Sequence, residues 1–172
     1  MFTQRVPLGL SLVLYVFASL PSQAAGYSCS NCFATASPGE SHTCAIRQDS
    51  SLSCWGYDFF GQATPPNFDP EQFDFLQVSA GGYHSCVIFD CDPGDGRCPF
   101  GNAKCWGNDS DGQASVDAFT DFVQISAGGD HTCGLEEDSS LACWGADDYG
   151  QISPPFPINI RYVEVSAGGI HT

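Results

Sequence analysis

The chain has 172 residues, of which 20 are Asp or Glu and 5 are Lys or Arg, and its formal net charge at pH 7 is −15. A surface this acidic repels the phosphate backbone, which argues against nucleic acid as a partner. The 10 cysteines favour an oxidising compartment and disulfides.

Residues 1–24 have the order of a secretory signal peptide. Arg5 precedes a mostly apolar run over residues 8–20, and the small residues Ser22 and Ala24 follow it. The run is shorter than the ~20 residues that a membrane helix needs. We therefore expect cleavage near Ala24 and a protein that is secreted or lies on the extracellular face of a membrane. The alternative is a retained N-terminal anchor. Residues 25–35 would form a short N-terminal segment.

A phrase containing one histidine recurs along the rest of the chain with a period of about 40 residues. It reads ASPGESHTC, VSAGGYHSC, ISAGGDHTC and finally VSAGGIHT. The repeat units are placed at about 36–77, 78–124 and 125–164, with a truncated fourth unit at 165–172. The positions shared by all four copies are His42, His84, His131 and His171, and Gly39, Gly81, Gly128 and Gly168. We expect the shared glycine to need a positive φ.

A second phrase follows in each complete unit and reads LSCWGYDFFGQ, AKCWGNDSDGQ and LACWGADDYGQ. It holds every tryptophan of the chain and a Gly-Gln pair at a constant distance. The shared positions are Trp55, Trp106 and Trp144, and Gln62, Gln113 and Gln151. We expect structural roles for these residues and for the histidines, which occur once per unit and so lie too far apart to bind one metal ion. No metal site and no cofactor is predicted.

The repeat also restricts how the cysteines pair, because each unit has one Cys two residues after the His and one directly before the Trp. The predicted disulfides each link two strands of a β-hairpin. They are Cys44–Cys54, Cys86–Cys105 and Cys133–Cys143. An insertion in the second unit brings its own pair, Cys91 and Cys98. The remaining Cys29 and Cys32, in CSNC, favour a structural or interblade disulfide over a redox motif, since no βαβ pattern surrounds them.

Two further motifs lie in the second unit. The insertion DCDPGDGRC faintly resembles a calcium loop, but Gly101 stands where an EF-hand has its Glu, so a solvated disulfide loop is the default interpretation. Asn108-Asp109-Ser110 is a glycosylation sequon on a predicted loop.

Each unit is predicted to hold about four short strands. These are a strand before the His, the two hairpin strands and the chain that leads away. The mature chain shows no convincing apolar period of 3.6 residues. The expected fold is all-β, a disulfide-stapled partial β-propeller of about three four-stranded blades plus the start of a fourth.

The phrases VSAGGYHSC and KCWGNDSDGQ resemble the repeats of the regulator of chromosome condensation superfamily, in the branch with Cys and Trp in the motif that is grouped with β-lactamase inhibitor protein II. The resemblance covers about 36–172. It implies a propeller, commonly of seven blades, that acts as a rigid platform for protein partners. The sequence departs from the pattern at Ser115-Val116, where the other units have Pro-Pro.

The truncated fourth unit predicts a fragment of a larger propeller, since rings need about four to eight blades. The alternative is a genuine short form that completes its ring by oligomerising. Contact with a membrane is expected only through a C-terminal part outside this sequence or through an uncleaved signal.

No G-x-S-x-G, H-E-x-x-H or P-loop pattern occurs in the sequence, and we expect no enzyme activity. The leading hypothesis is a secreted or cell-surface protein-interaction module whose contacts come from the insertion and from the loops after each Trp. One alternative is a secreted enzyme inhibitor. The others are a guanine-nucleotide exchange factor for a small GTPase, which a signal peptide and paired cysteines disfavour, and the ectodomain of a receptor kinase.

Overall fold

The computed structural model describes residues 32–68, 73–91, 101–116, 121–153 and 160–172, and these form three antiparallel β-sheets. The strands of the first sheet are β1 (Phe33–Pro38), β2 (His42–Arg47) and β3 (Leu52–Gly56). The second contains β4 (Phe73–Ala80), β5 (His84–Cys91) and β6 (Asn102–Gly107), and the third β7 (Phe122–Ala127), β8 (His131–Glu136) and β9 (Leu141–Gly145). No helix in these ranges has the length and apolarity to span a membrane. The all-β prediction is confirmed.

Each sheet is a meander stapled by the disulfide that the repeat predicts. In the first hairpin His42 pairs with Gly56 and Ile46 with Leu52, so Cys44 and Cys54 face each other on neighbouring strands. The bonded pairs are Cys44–Cys54, Cys86–Cys105 and Cys133–Cys143, each with a Cα–Cα distance of 4.1 Å. All three hairpin pairings are therefore confirmed.

The remaining cysteine pairings stay predictions. Cys32 is disulfide-bonded, but its expected partner Cys29 lies outside the described residues. Cys98, most of the insertion and the signal peptide lie outside them as well, and the side chain of Cys91 is not described.

An Asp and a Ser stabilise the tight turn between the two hairpin strands. Ser50 has φ 61°, and the Asp49 side chain accepts a hydrogen bond from the Ser51 amide at 3.0 Å. Residues 138–140 repeat this arrangement in the third sheet. We call this the hairpin end of the sheets. The opposite end, where the Gly-Gly and Gly-Gln turns lie, is called the glycine end.

The sheets stack through buried apolar clusters between successive units. Val78 of the second sheet packs in one cluster with Ile46 of the first, and Trp106 belongs to the same cluster. Phe122 of the third sheet packs in the next cluster with Ile88 of the second. Face-to-face stacking of consecutive meanders is the arrangement of blades in a propeller. The predicted partial propeller is confirmed.

Two glutamine side chains link the first strands of consecutive blades. Each makes the pair of hydrogen bonds that a neighbouring backbone would make in a β-sheet. Gln77 donates to the carbonyl oxygen of Ile125 and accepts from its amide, both at 2.9 Å. Gln124 does the same with Val165, at 3.1 and 2.9 Å. Residues 160–172 are thereby held against the third blade in the position of a fourth blade's first strand.

The described part of each unit forms three strands, where about four were expected. In the first unit the chain after β3 folds back into a turn instead of continuing as a strand. The Asp58 carboxylate accepts from the amide of Ala63 at 2.7 Å and from the hydroxyl of Thr64 at 2.6 Å. Pro65-Pro66 then offers no N–H to a sheet. The equivalent turns are capped by Asp109 and Asp147.

The expectation of a positive φ at the shared glycine is wrong. None of Gly39, Gly81, Gly128 and Gly168 has one. A Cβ on Gly39 would overlap the carbonyl oxygen of Gly81, and a Cβ on Gly81 would overlap that of Gly128. At Gly168 the obstacle is the His171 ring. These turns need glycine because they pack too closely for any side chain.

Candidate functional site

A repeated hydrogen-bond network joins each blade to the next and accounts for the recurring histidines. In each junction the Nε2 atom of the histidine lies within hydrogen-bond distance of a Ser or Thr hydroxyl in the following unit. The pairs are His42–Ser85 at 2.7 Å, His84–Thr132 at 2.8 Å and His131–Thr172 at 2.9 Å. His171, in the incomplete unit, is exposed.

The same hydroxyls donate back to the main-chain oxygen of the glutamine in the preceding Gly-Gln pair. The bonds are Ser85 to Gln62 at 3.0 Å, Thr132 to Gln113 at 2.9 Å and Thr172 to Gln151 at 3.0 Å. Trp106 and Trp144 donate their indole N–H to the first two of these oxygens, each at 3.0 Å. Trp55 has no preceding blade among the described residues, and its side chain is 46% exposed.

Burial keeps the junction histidines neutral. Desolvation is the main cause that lowers the pKa of His84 to about 4, and the neighbouring His131 and His42 add to it against Asp109. Burial also lowers the pKa of His42 and His131. The described ranges contain no group of three His, Cys, Asp or Glu side chains able to hold a metal ion. The hydrogen bonds of His42, His84 and His131 to the following unit fit a role in blade packing.

The glycine end is built on a ladder of close backbone contacts. The amide of Glu40 donates to Gly81 O at 3.2 Å, that of Gly82 to Gly128 O at 3.0 Å, and that of Gly129 to Gly168 O at 3.1 Å. The turns surround a shallow depression of about 140 Å³ lined mainly by glycine and alanine. Because it presents little besides backbone, this depression offers few groups for selective binding.

The loops after each Trp lie beside these turns and share one backbone frame. The side-chain oxygen of each buried glutamine accepts from the amide two residues before it. The bonds are Phe60 to Gln62 at 3.0 Å, Asp111 to Gln113 at 2.9 Å and Tyr149 to Gln151 at 2.9 Å. With the Asp caps already described, the frame is the same in all three blades.

The side chains carried on this frame differ from blade to blade. Three positions vary around the capping Asp. They hold Tyr57, Phe59 and Phe60 in the first blade, Asn108, Ser110 and Asp111 in the second, and Ala146, Asp148 and Tyr149 in the third. The residue before each of the four repeated histidines varies in the same way, as Ser41, Tyr83, Asp130 and Ile170. Variable side chains on a rigid common backbone are typical of a recognition surface.

Four exposed rings meet where the first blade's loop adjoins the second blade's turn. We call Tyr57, Phe59, Phe60 and Tyr83 the aromatic cluster; they are 47%, 76%, 43% and 37% exposed. Neighbouring ring centroids are 5.0 to 6.4 Å apart. The loop was predicted from the sequence, but the cluster was not. The signal was YDFF between Trp55 and the Gly-Gln pair.

The glycine end is also strongly acidic. Its exposed carboxylates are Glu40, Asp58, Asp109, Asp111, Asp130, Asp147 and Asp148. The basic residues in the described ranges are Arg47 and Arg161 near the hairpin end and Lys104 in the middle of β6. The cations are therefore kept away from the aromatic cluster.

The predicted glycosylation site lies at this same end. The Asn108 amide nitrogen donates to the Ser110 hydroxyl at 3.2 Å, and the backbone N–H of Asn108 donates to Tyr83 O at 2.8 Å. Asn108 is half-buried and occupies the position that Tyr57 has in the first blade. Its glycosylation stays a prediction.

Comparison with known proteins shows where this architecture occurs. The family model for the regulator of chromosome condensation (RCC1) repeat matches residues 35–62 and 122–151, which are the strands and Gly-Gln turns of the first and third blades. The CRINKLY WD40 ectodomain of the Arabidopsis thaliana receptor kinase ACR4 is similar at 26% identity and a TM-score of 0.56. The ectodomain of the Physcomitrella patens receptor kinase CR4 is similar at 25% identity and a TM-score of 0.60.

The similarity to these ectodomains extends over most of this chain and part of theirs. Each match covers 80% of this chain, and 43% and 36% respectively of the ectodomains, so the chain spans less than half of their length. Prp20p from Saccharomyces cerevisiae matches 80% of this chain and 42% of its own, at 15% identity and a TM-score of 0.61, which shows the fold alone. The resemblance of the recurring phrases to RCC1 repeats is thereby confirmed in the first and third blades.

Proposed function

We propose that this chain is an extracellular, non-catalytic protein-interaction module that binds its partner with the glycine end. The observation that carries the proposal is the contrast between the loops after each Trp. Their backbone is fixed by the same glutamine and Asp bonds in all three blades, whereas their exposed side chains range from aromatic to acidic. Selection for binding explains such variation on a common frame better than selection for folding does.

The disulfides support an extracellular location. Three have both cysteines in the described part of the chain, and disulfides persist in oxidising compartments. The likeness to two receptor-kinase ectodomains supports the same side of the membrane. It also favours a more specific second candidate, in which this chain is the ligand-binding part of such an ectodomain.

Several polar side chains at the glycine end are already hydrogen-bonded within the fold, which agrees with a binding role. The ring of His42 is committed to the blade junction, the Asp58 carboxylate to a turn and the Gln62 side chain to the loop frame. The groups that remain for a partner are the variable side chains, which are suited to contact rather than to chemistry.

The test is a screen of the secreted full-length chain, displayed as a multimer, against a panel of secreted and cell-surface ectodomains. We expect a partner whose binding falls at least about tenfold when one loop of the glycine end is changed by Phe59→Ser, Asp111→Asn or Tyr149→Ser. Glu137→Gln at the hairpin end is the control and should leave binding unchanged. A screen without any partner, or a partner sensitive only to Glu137→Gln, would contradict the proposal.

A further inference from the structure

We infer that the aromatic cluster is the centre of the binding surface and that it receives a cationic segment of a protein partner, with an Arg or Lys side chain stacked on the rings. This inference rests on the proposed function and narrows it to one site and one class of partner.

The fold itself does not require these rings. The second blade builds the same loop with Asn108, Ser110 and Asp111, and the equivalent of Tyr83 is Asp130. The rings therefore add nothing that the backbone needs. Contiguous exposed apolar surface is unfavourable in water and marks interaction sites, where Tyr side chains are enriched among the residues that dominate binding.

The cluster is held in place before any partner arrives. The Tyr57 amide donates to Ser41 O at 2.9 Å, and the Phe60 amide is held by Gln62. Phe60 contacts Phe59 and Tyr83 edge-to-face, at 5.0 and 5.6 Å. A surface fixed in this way loses little conformational entropy on binding, which favours affinity.

The surrounding charge selects the partner. Glu40 and Asp58 lie on the same end and the same blade as three of the rings, and Asp109, Asp111 and Asp130 follow on the next blade. Ring faces are negative and attract cations placed within about 6 Å. A guanidinium can stack on a ring and reach a carboxylate with the same planar group, so Arg fits this site better than Lys. These carboxylates would repel an acidic segment, and an uncharged segment would gain nothing from them.

The second blade supplies a matched variant. Tyr57→Asn, Phe59→Ser and Phe60→Asp place on the first blade's loop the residues of the second blade's loop, and Tyr83→Asp places on the second blade's turn the residue of the third blade's turn. This graft variant is more negative than the native chain. Simple electrostatic attraction therefore predicts that a cationic ligand binds it at least as well, whereas the inference predicts a loss.

The probe is a displayed library of random twelve-residue peptides, selected on the secreted full-length chain. We expect selected peptides to be enriched in Arg and to bind the graft variant at least about tenfold more weakly. The single change Phe59→Ser, at the most exposed ring, should weaken the same peptides about threefold even if the graft variant misfolds. Circular dichroism and the melting temperature establish that each variant is folded, and Glu137→Gln is the charge control.

Three results would overturn the inference. The first is a selection in which no peptide depends on the cluster, or in which Arg-rich peptides bind native and graft chains equally. The second is enrichment of neutral or acidic peptides that depend on the cluster. The third is cluster-dependent binding of a chito- or cello-oligosaccharide in place of peptides, which would assign the rings to carbohydrate. In each case the proposed function stands if an ectodomain partner still depends on Asp111 or Tyr149, and it fails separately if no ectodomain binds.

Discussion

Trp106 of the second blade donates its indole N–H to the main-chain oxygen of Gln62 in the first blade, at a distance of 3.0 Å. The hydroxyl of Ser85 donates to the same oxygen and also lies within hydrogen-bond distance of His42. A single backbone carbonyl thus gathers two donors from the following unit. Trp106 therefore links two blades by a hydrogen bond and also packs in the core.

Replacing Trp106 with Phe should therefore cost more stability than replacing Trp55 with Phe. The Trp106 change removes a buried hydrogen bond and should lower the free energy of unfolding by about 1–2 kcal/mol. Trp55 is half exposed and has no blade on that side in the described part of the chain, so its change should cost less than about 0.5 kcal/mol. Urea unfolding followed by circular dichroism measures both. Equal losses would show that the junction bond is energetically unimportant.

The close approach of the Gly-Gly turns predicts a large difference between two glycines. Gly81→Ala would drive a methyl group into Gly128 O and the His84 ring and should destabilise the protein by about 3 kcal/mol or more. At Gly169 no atom lies within 4 Å of an added Cβ, so Gly169→Ala should change stability by less than about 1 kcal/mol. Thermal unfolding of the two variants tests this, and a stable Gly81→Ala protein would refute the packing argument.

Stability should fall as the pH is lowered from 7 to 5. The folded chain holds the pKa of His84 near 4, whereas the unfolded chain takes up a proton near the ordinary value of 6.5. The unfolded state therefore binds more protons in this window, and stability rises with pH. His84 alone should contribute about 2 kcal/mol between pH 5 and pH 7, with smaller losses in the same direction from His42 and His131.

The check is urea unfolding at pH 7 and pH 5 for the native chain and for His84→Gln. The variant should be weaker at pH 7 but should lose much less stability on acidification. His171→Gln, at an exposed position, is the matched control. If the native protein and His84→Gln show the same dependence on pH, the ring of His84 is not the cause.

Gln124→Ala should release the segment 160–172 from the third blade. Its side chain makes both hydrogen bonds to the backbone of Val165, so the Val165 amide should exchange with solvent at least about tenfold faster in the variant. Gln77→Ala removes the equivalent pair one blade earlier and should leave that amide protected. Hydrogen exchange followed by mass spectrometry distinguishes the two. Unchanged protection in Gln124→Ala would mean that packing of Val165 alone holds the segment.

Local spacing was enough to predict the hairpins and their disulfides. Cys44 and Cys54 stand on either side of a short polar turn, at positions that recur in every unit, and the structure pairs them directly across the hairpin. The repeat then carried this inference to the other two blades. A turn after Trp55 was predicted, but the Asp58 cap that holds it was not, and the chain leading away was expected to form a fourth strand.

Contacts between units were beyond the reach of the sequence. The need for glycine at Gly39 comes from Gly81, one repeat away, and no local conformation reveals it. The aromatic cluster also depends on a contact between two units. Tyr83 joins Tyr57, Phe59 and Phe60 only because the second blade's turn stacks beside the first blade's loop.

The hydrogen bonds at Gln62 also show which segments of the chain are equivalent units that could replace one another. Each blade offers one acceptor and one histidine to its successor, and a hydroxyl to its predecessor. Ser85 and Thr132 serve as that hydroxyl equally well, so the two sides of every junction match whichever copies meet. Adding or deleting a whole unit between one Gly-Gln pair and the next would therefore preserve the hydrogen bonds of each junction.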